Sequence, residues 1–116
     1  MKKFIVLSLL AILVLAGCSS KSEESIIALD DYIKAYSDQG IPVDPEEKPM
    51  YEMAQAINGV IFYIDNSPVK IYEYESNKDR KNAVSNDPTM KDWPSSGRFI
   101  LETNSQKAKE IFESVK

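Results

Sequence analysis

The strongest constraint on this chain is an uncharged, apolar run near its amino terminus that stops just before the only cysteine. Two lysines precede the run, which covers residues 4–15, and two small residues separate it from Cys18. A membrane-spanning helix needs about 20 apolar residues, so this run is too short to be a permanent span. A basic start, an apolar centre and a small-residue exit are typical of a signal peptide. We therefore expect folding to involve only the residues that follow it.

The last four residues of this segment are Leu15, Ala16, Gly17 and Cys18, and they resemble the bacterial lipobox. The resemblance implies cleavage before Cys18 and diacylglycerol on its sulfur. Two acyl chains anchor a protein stably, because each buried CH₂ contributes about 0.8 kcal/mol and one chain alone binds only marginally. We predict a lipoprotein anchored in the cell membrane and facing outside the cytoplasm. The alternatives are an ordinary secretory signal, or a buried thiol in an uncleaved helix.

The predicted processing divides the chain into three parts. Residues 1–17 form the signal peptide, residues 18–24 the lipidated cysteine and a polar tether, and residues 25–116 a single domain. Losing Lys2 and Lys3 leaves twelve basic residues against eighteen acidic ones, a formal charge of -6. This charge argues against a nucleic-acid partner, since phosphate binding depends on clustered basic side chains. The expected partners are the membrane, through the lipid, and an envelope protein.

Hydrophobic spacing predicts an amphipathic helix at each end of this domain. In residues 25–39 the apolar positions recur at helical spacing, at Ile26, Leu29, Ile33 and Tyr36. Ser105 begins the second helix, whose apolar stripe comprises Ala108, Ile111, Phe112 and Val115. A short polar helix, from Asn77 to about Val84, is predicted between them, because Ser76 and Asp79 resemble a capping box.

The strands are predicted from β-prone runs. Residues 60–65 and 69–74 form one pair, separated by Asn66-Ser67-Pro68, and residues 98–103 form a further strand. Met50 to Ile57 is ambiguous between helix and strand. Asn58-Gly59 is a strong hairpin signal, so a helical turn at 49–53 followed by a strand at 54–57 is the favoured interpretation. The fold class is then α+β: a small two-layer domain, with a mostly antiparallel sheet of about four strands and the two terminal helices on one face.

Three segments carry a family resemblance: VIFYID, VKIYEYES and SGRFILETNSQKAKEIFESV. They resemble uncharacterised small lipoproteins of Bacillota, in which a similar pattern follows a lipobox and an amino-terminal helix. The resemblance implies a fold and a location. It transfers no functional residues, because no activity is known for the family.

The sequence offers few groups for catalysis. It contains no histidine, and its one cysteine is predicted to carry lipid, so the usual general base and thiol nucleophile are missing. Glu73 and Glu75 are spaced for a carboxylate pair that cleaves glycosidic bonds, although solvated edge charges explain them as well. The acids at 44, 46 and 47 lack the spacing of a calcium loop. We predict no catalytic residues, no metal and no cofactor.

Aromatic side chains are the candidate binding residues. Trp93 lies in a polar loop, where it is either a binding residue or a plug over the sheet. Tyr63, Tyr72 and Tyr74 form either a recognition surface or the side of the sheet that the helices cover. The predicted function is a lipid-anchored extracytoplasmic binding or interaction module. The alternative is a carboxylate-based cell-wall glycan hydrolase.

Overall fold

A computed structural model describes residues 27–115. The predicted signal peptide, its recognition residues, Cys18 and the tether lie outside this range. The described elements, in chain order, are α1 (Leu29–Asp38), a first 3₁₀ helix (Tyr51–Ala54), β1 (Asn58–Ile64), β2 (Ser67–Glu73), α2 (Asn77–Asn86), a second 3₁₀ helix (Pro88–Met90), β3 (Ser95–Ser96), β4 (Phe99–Thr103) and α3 (Gln106–Ser114).

The four strands form one sheet in the order β1-β2-β4-β3, and every neighbouring pair is antiparallel. The predicted α+β class and four-stranded antiparallel sheet are therefore confirmed. The predicted caps of the later helices are also present. The Ser76 hydroxyl accepts from the backbone N–H of Asp79, and the Ser105 hydroxyl accepts from that of Ala108, both at 3.1 Å. Such caps satisfy N–H groups that have no partner inside the helix.

One face of the sheet carries the larger part of the core. Alternate strand residues such as Val60, Ile71 and Leu101 pack there with side chains of α1 and α3. Tyr32 of α1 stacks on Phe112 of α3, with ring centroids 4.7 Å apart. The buried Tyr36 hydroxyl donates to the carbonyl of Ala108 at 2.7 Å.

The opposite face of the sheet also carries a buried cluster, which the two-layer prediction does not include. Its members are Ala54, Ala56, Tyr72, Tyr74, Ala83, Met90 and Ile100. The first 3₁₀ helix, α2 and the second 3₁₀ helix supply the residues that cover the strands here. The sequence pattern missed this layer because α2 is mostly polar and contributes only Ala83 and Val84.

The predicted strand at 54–57 is wrong, and so is the predicted hairpin turn at Asn58-Gly59. Gln55 has a positive φ of 61° and ends the first 3₁₀ helix, after which both predicted turn residues lie inside β1. The tight hairpin instead joins β1 to β2 through Asp65 and Asn66, with φ values of 50° and 68°. A type I′ turn requires positive φ at both central residues, and Asp and Asn tolerate it.

Candidate functional site

An open cleft of about 500 Å³ lies on the second face of the sheet. The first 3₁₀ helix borders it, together with the segment that carries the second 3₁₀ helix and Trp93, and strand residues form its floor. Its lining residues are Lys48, Pro49, Met50, Met53, Ala54, Ile61, Lys70, Tyr72, Asp87, Met90, Trp93 and Glu102. Ligand clefts are commonly of this size and combine apolar walls with a few polar groups.

Met50 and Met53 form an exposed apolar wall of the cleft. The two residues are 75% and 74% exposed, the highest values among the large apolar residues that the structure describes. The wall is fixed from beneath, because the buried Tyr74 hydroxyl donates to the carbonyl of Ala54 at 2.7 Å. Methionine is flexible and polarisable, and exposed methionines are common at binding surfaces that adapt to their ligands.

Trp93 forms a second wall and is half-buried. Asp87 caps the short helix before it by accepting from the N–H and hydroxyl of Thr89, and Met90 anchors that helix in the buried cluster. The backbone N–H of Trp93 donates to the carbonyl of Met90 at 3.1 Å. Its ring lies nearly parallel to that of Tyr72, with centroids 6.5 Å apart. Trp93 therefore packs on the sheet and also lines the cleft, so both predicted roles are compatible.

The polar part of the floor comes from β2 and β4. The Tyr72 hydroxyl donates to Glu102 Oε1 at 2.6 Å. Burial raises the pKa of Tyr72 well above its ordinary value, and the bond to the Glu102 carboxylate raises it further. Tyr72 therefore stays a neutral donor at physiological pH. Lys70 is directly opposite Glu102 in the strand register.

The structure does not bring all four predicted aromatic residues to one surface. Trp93 and Tyr72 line the cleft, but Tyr74 is completely buried beneath it. Tyr63 is 52% exposed and borders a different, shallow cavity next to the chain segment at 42–47. Of the two alternatives for the tyrosines, Tyr74 follows the second, because the first 3₁₀ helix and α2 cover that part of the sheet.

The two carboxylates of the hydrolase hypothesis have different surroundings. The Glu73 carboxylate is ion-paired with Arg98 and accepts from the Asn58 amide at 3.3 Å. Glu75 follows the end of β2 and is exposed. An ion pair held by a second polar contact is typical of a structural role. Within residues 27–115, no three acidic side chains are grouped so that they could hold a metal ion.

Sequence reasoning missed several lining residues, of which Ile61, Lys70 and Glu102 matter most. The signal for Lys70 was present, since alternation along β2 puts it on the same face as Tyr72 and Tyr74. Glu102 alternates in the same way with Phe99 and Leu101. Nothing local to either strand indicates that the two charges face each other, because β2 and β4 are separated by α2 in the chain.

No helix within the described part of the chain is long and apolar enough to cross a membrane. Comparison of the chain with protein-family models, with curated proteins and with solved structures gave no match.

Proposed function

We propose that this chain is a lipid-anchored extracytoplasmic binding module whose ligand occupies the cleft between Met53 and Trp93. The observation that carries the proposal is the apolar wall formed by Met50 and Met53. Fully burying such a side chain is favourable by about 1.5–3 kcal/mol relative to leaving it exposed. Met50 and Met53 are exposed to water beside an aromatic wall. Binding of a ligand that covers them would therefore be favourable.

The proposed anchor explains how the cleft is presented. Diacylglycerol on Cys18, after cleavage behind Leu15, Ala16 and Gly17, would hold residues 25–116 outside the cell membrane on the short tether. An acidic domain is repelled by an anionic membrane surface, which keeps it from lying flat on the lipid. The resemblance to small lipoproteins of Bacillota favours the same location. The bound partner is then an envelope protein or a small extracellular molecule.

We further propose that the two terminal helices cover one closed face of the sheet, opposite the cleft. The stacking of Tyr32 on Phe112 and the Tyr36–Ala108 hydrogen bond support this assignment. We propose no enzymatic activity, because the ion pair with Arg98 occupies the Glu73 carboxylate and no observation favours the hydrolase.

Methionine oxidation tests whether the cleft is occupied in the cell. Hydrogen peroxide is applied to intact cells and to the purified full-length protein, and sulfoxide at each methionine is measured by mass spectrometry. We expect Met50 and Met53 to react more slowly in cells than in the purified protein. Met90 is only 2% exposed and serves as the internal control, slow in both samples. Equal rates at Met50 and Met53 in the two samples would contradict the proposal.

A further inference from the structure

Lys70 and Glu102 are opposite charges on neighbouring strands that do not form an ion pair. They are direct partners in the antiparallel register of β2 and β4, which puts their side chains next to each other on one face. The ion pairs within the described residues are Lys34–Asp38 and Arg98–Glu73. Lys70 is half-buried, and its ammonium group makes no hydrogen bond within this part of the chain. The Tyr72 hydroxyl donates to Glu102 Oε1, but Oε2 makes no hydrogen bond within the described residues. The Lys70 ammonium and Glu102 Oε2 can therefore bind a ligand.

The two charges border the cleft at its Trp93 side. Together with Trp93 they line both the main cleft and a smaller neighbouring cavity of about 160 Å³. The other two charged residues of the main cleft are already engaged: Lys48 donates to the Asn58 side chain at 2.9 Å, and Asp87 caps the second 3₁₀ helix. Lys70 and Glu102 are the two opposite charges of the cleft that lie next to each other, so they are placed to recognise a ligand together.

We propose that the cleft binds a free α-amino acid with a large apolar side chain. The Lys70 ammonium would bind its carboxylate, the Glu102 carboxylate would bind its ammonium group, and its side chain would pack against Trp93 and the methionine wall. This inference rests on the proposed binding function and specifies its ligand. Charge-assisted hydrogen bonds on both ends of a zwitterion are stronger than neutral ones and fix the orientation of the ligand.

The charges select against other ligands that an apolar cleft would accept. The carboxylate of a fatty acid would bind Lys70 but would be repelled by Glu102. The ammonium group of an apolar amine would bind Glu102 but would be repelled by Lys70. A sugar would direct hydroxyl groups at thioether and alkyl side chains that hydrogen-bond weakly or not at all. A zwitterion with an apolar side chain would pair with both charges and pack against both apolar walls.

Fluorescence of Trp93, the only tryptophan of the chain, measures binding directly. The purified full-length protein is titrated with L-leucine, with N-acetyl-L-leucine, which lacks the positive charge, and with L-leucinamide, which lacks the negative charge. We expect a saturable change with leucine. Each blocked analogue should bind at least about tenfold more weakly, since it loses one charge-assisted hydrogen bond.

Two variants that each replace one charge with a neutral side chain identify the groups that bind the ligand. Lys70→Gln and Glu102→Gln should each weaken leucine binding at least about tenfold. Glu102→Gln should also bind N-acetyl-leucine at least as well as the unchanged protein does, because the repulsion of its carboxylate is gone. A merely structural defect would not produce that gain. Lys34→Gln, on α1 and outside the cleft lining, is the matched control and should leave binding unchanged.

The glutamine in Glu102→Gln can still accept from Tyr72, and thermal unfolding of each variant checks that the fold is kept. Blocked analogues that bind as tightly as leucine would overturn the zwitterion assignment. So would tighter binding of laurate than of leucine, or no binding of leucine at all. The proposed binding function fails separately, through unprotected methionines in intact cells.

Discussion

At the scale of single residues, tyrosine hydroxyls connect the layers of this small domain. Tyr36 joins α1 to α3, and Tyr74 joins the end of β2 to the first 3₁₀ helix beneath the cleft. Burial raises the pKa of both hydroxyls above the ordinary value of 10.0, in the case of Tyr74 to about 12. The folded state therefore holds these groups in their neutral form, and their ionisation opposes folding.

This burial predicts alkaline sensitivity. A raised pKa in the folded state contributes stability that is fully present below pH 10 and is lost as the pH rises towards 12. Urea unfolding at pH 8 and pH 11 should therefore give a lower free energy of unfolding at pH 11. Tyr74→Phe should lower the free energy of unfolding by about 1 kcal/mol at pH 8, because the hydrogen bond to Ala54 is lost. Between the two pH values the variant should lose less stability than the unchanged protein, and an equal loss would contradict the assignment.

At the scale of elements, local signals fixed the helices better than they fixed the strand pairing. The cap at Ser105 and the stripe after it predicted α3 within one residue of its observed start. Asn58-Gly59 led to a wrong prediction, because a two-residue turn signal does not indicate which strand the neighbouring residues pair with. The backbone N–H of Ile57 donates to the carbonyl of Glu73, so β2 already pairs with the chain just before these two residues. The local sequence does not indicate pairing between segments that are distant in the chain.

Gly59 has a steric role in β1 and no role in a turn. A Cβ atom there would lie 2.8 Å from the carbonyl oxygen of Ile71 and 3.1 Å from the ring of Pro49. Gly59→Ala should therefore destabilise the protein by about 1–3 kcal/mol, as other overpacked sites do. Denaturant unfolding measures the loss.

Gly40→Ala provides a comparison, because its Cβ meets no atom within 4 Å. The loss of stability in Gly40→Ala comes only from the positive φ of 80° and should be about 1 kcal/mol. An unchanged stability in Gly59→Ala would contradict the close approach of β2 to this residue.

At the scale of the whole molecule, the sequence predicted the class of the fold. It also indicated Trp93 and Tyr72, which line the cleft, as candidate binding residues. It could not predict the cleft itself, because the walls come from two segments, each with a 3₁₀ helix, that are more than thirty residues apart in the chain. Apolar spacing alone left Met50 to Ile57 ambiguous between helix and strand, and the segment around Met90 has too few apolar residues to stand out as a periodic pattern. The covered second face and the open cleft beside it arise only when the sheet brings these segments together.

The anchor is predicted to depend on Cys18. In cells fed a fatty acid that carries an alkyne, the unchanged protein should become labelled and remain with the membrane fraction. Cys18→Ala should take up no label, since the sulfur that receives diacylglycerol is absent. Label that persists in the variant would contradict the anchor. Ser19→Ala, next to the modified residue, is the matched control and should be labelled normally.

Photo-crosslinking from the cleft tests the central claim most directly. Cells grow with a diazirine analogue of methionine, which enters the described part of the chain at Met50, Met53 and Met90, and illumination links each site to whatever touches it. We predict that peptides containing Met50 or Met53 carry a discrete adduct by mass spectrometry. In the Met50→Leu/Met53→Leu variant, which keeps Met90, that adduct should be absent. A chain without any adduct at the cleft, or the same adduct in the variant, would contradict the account.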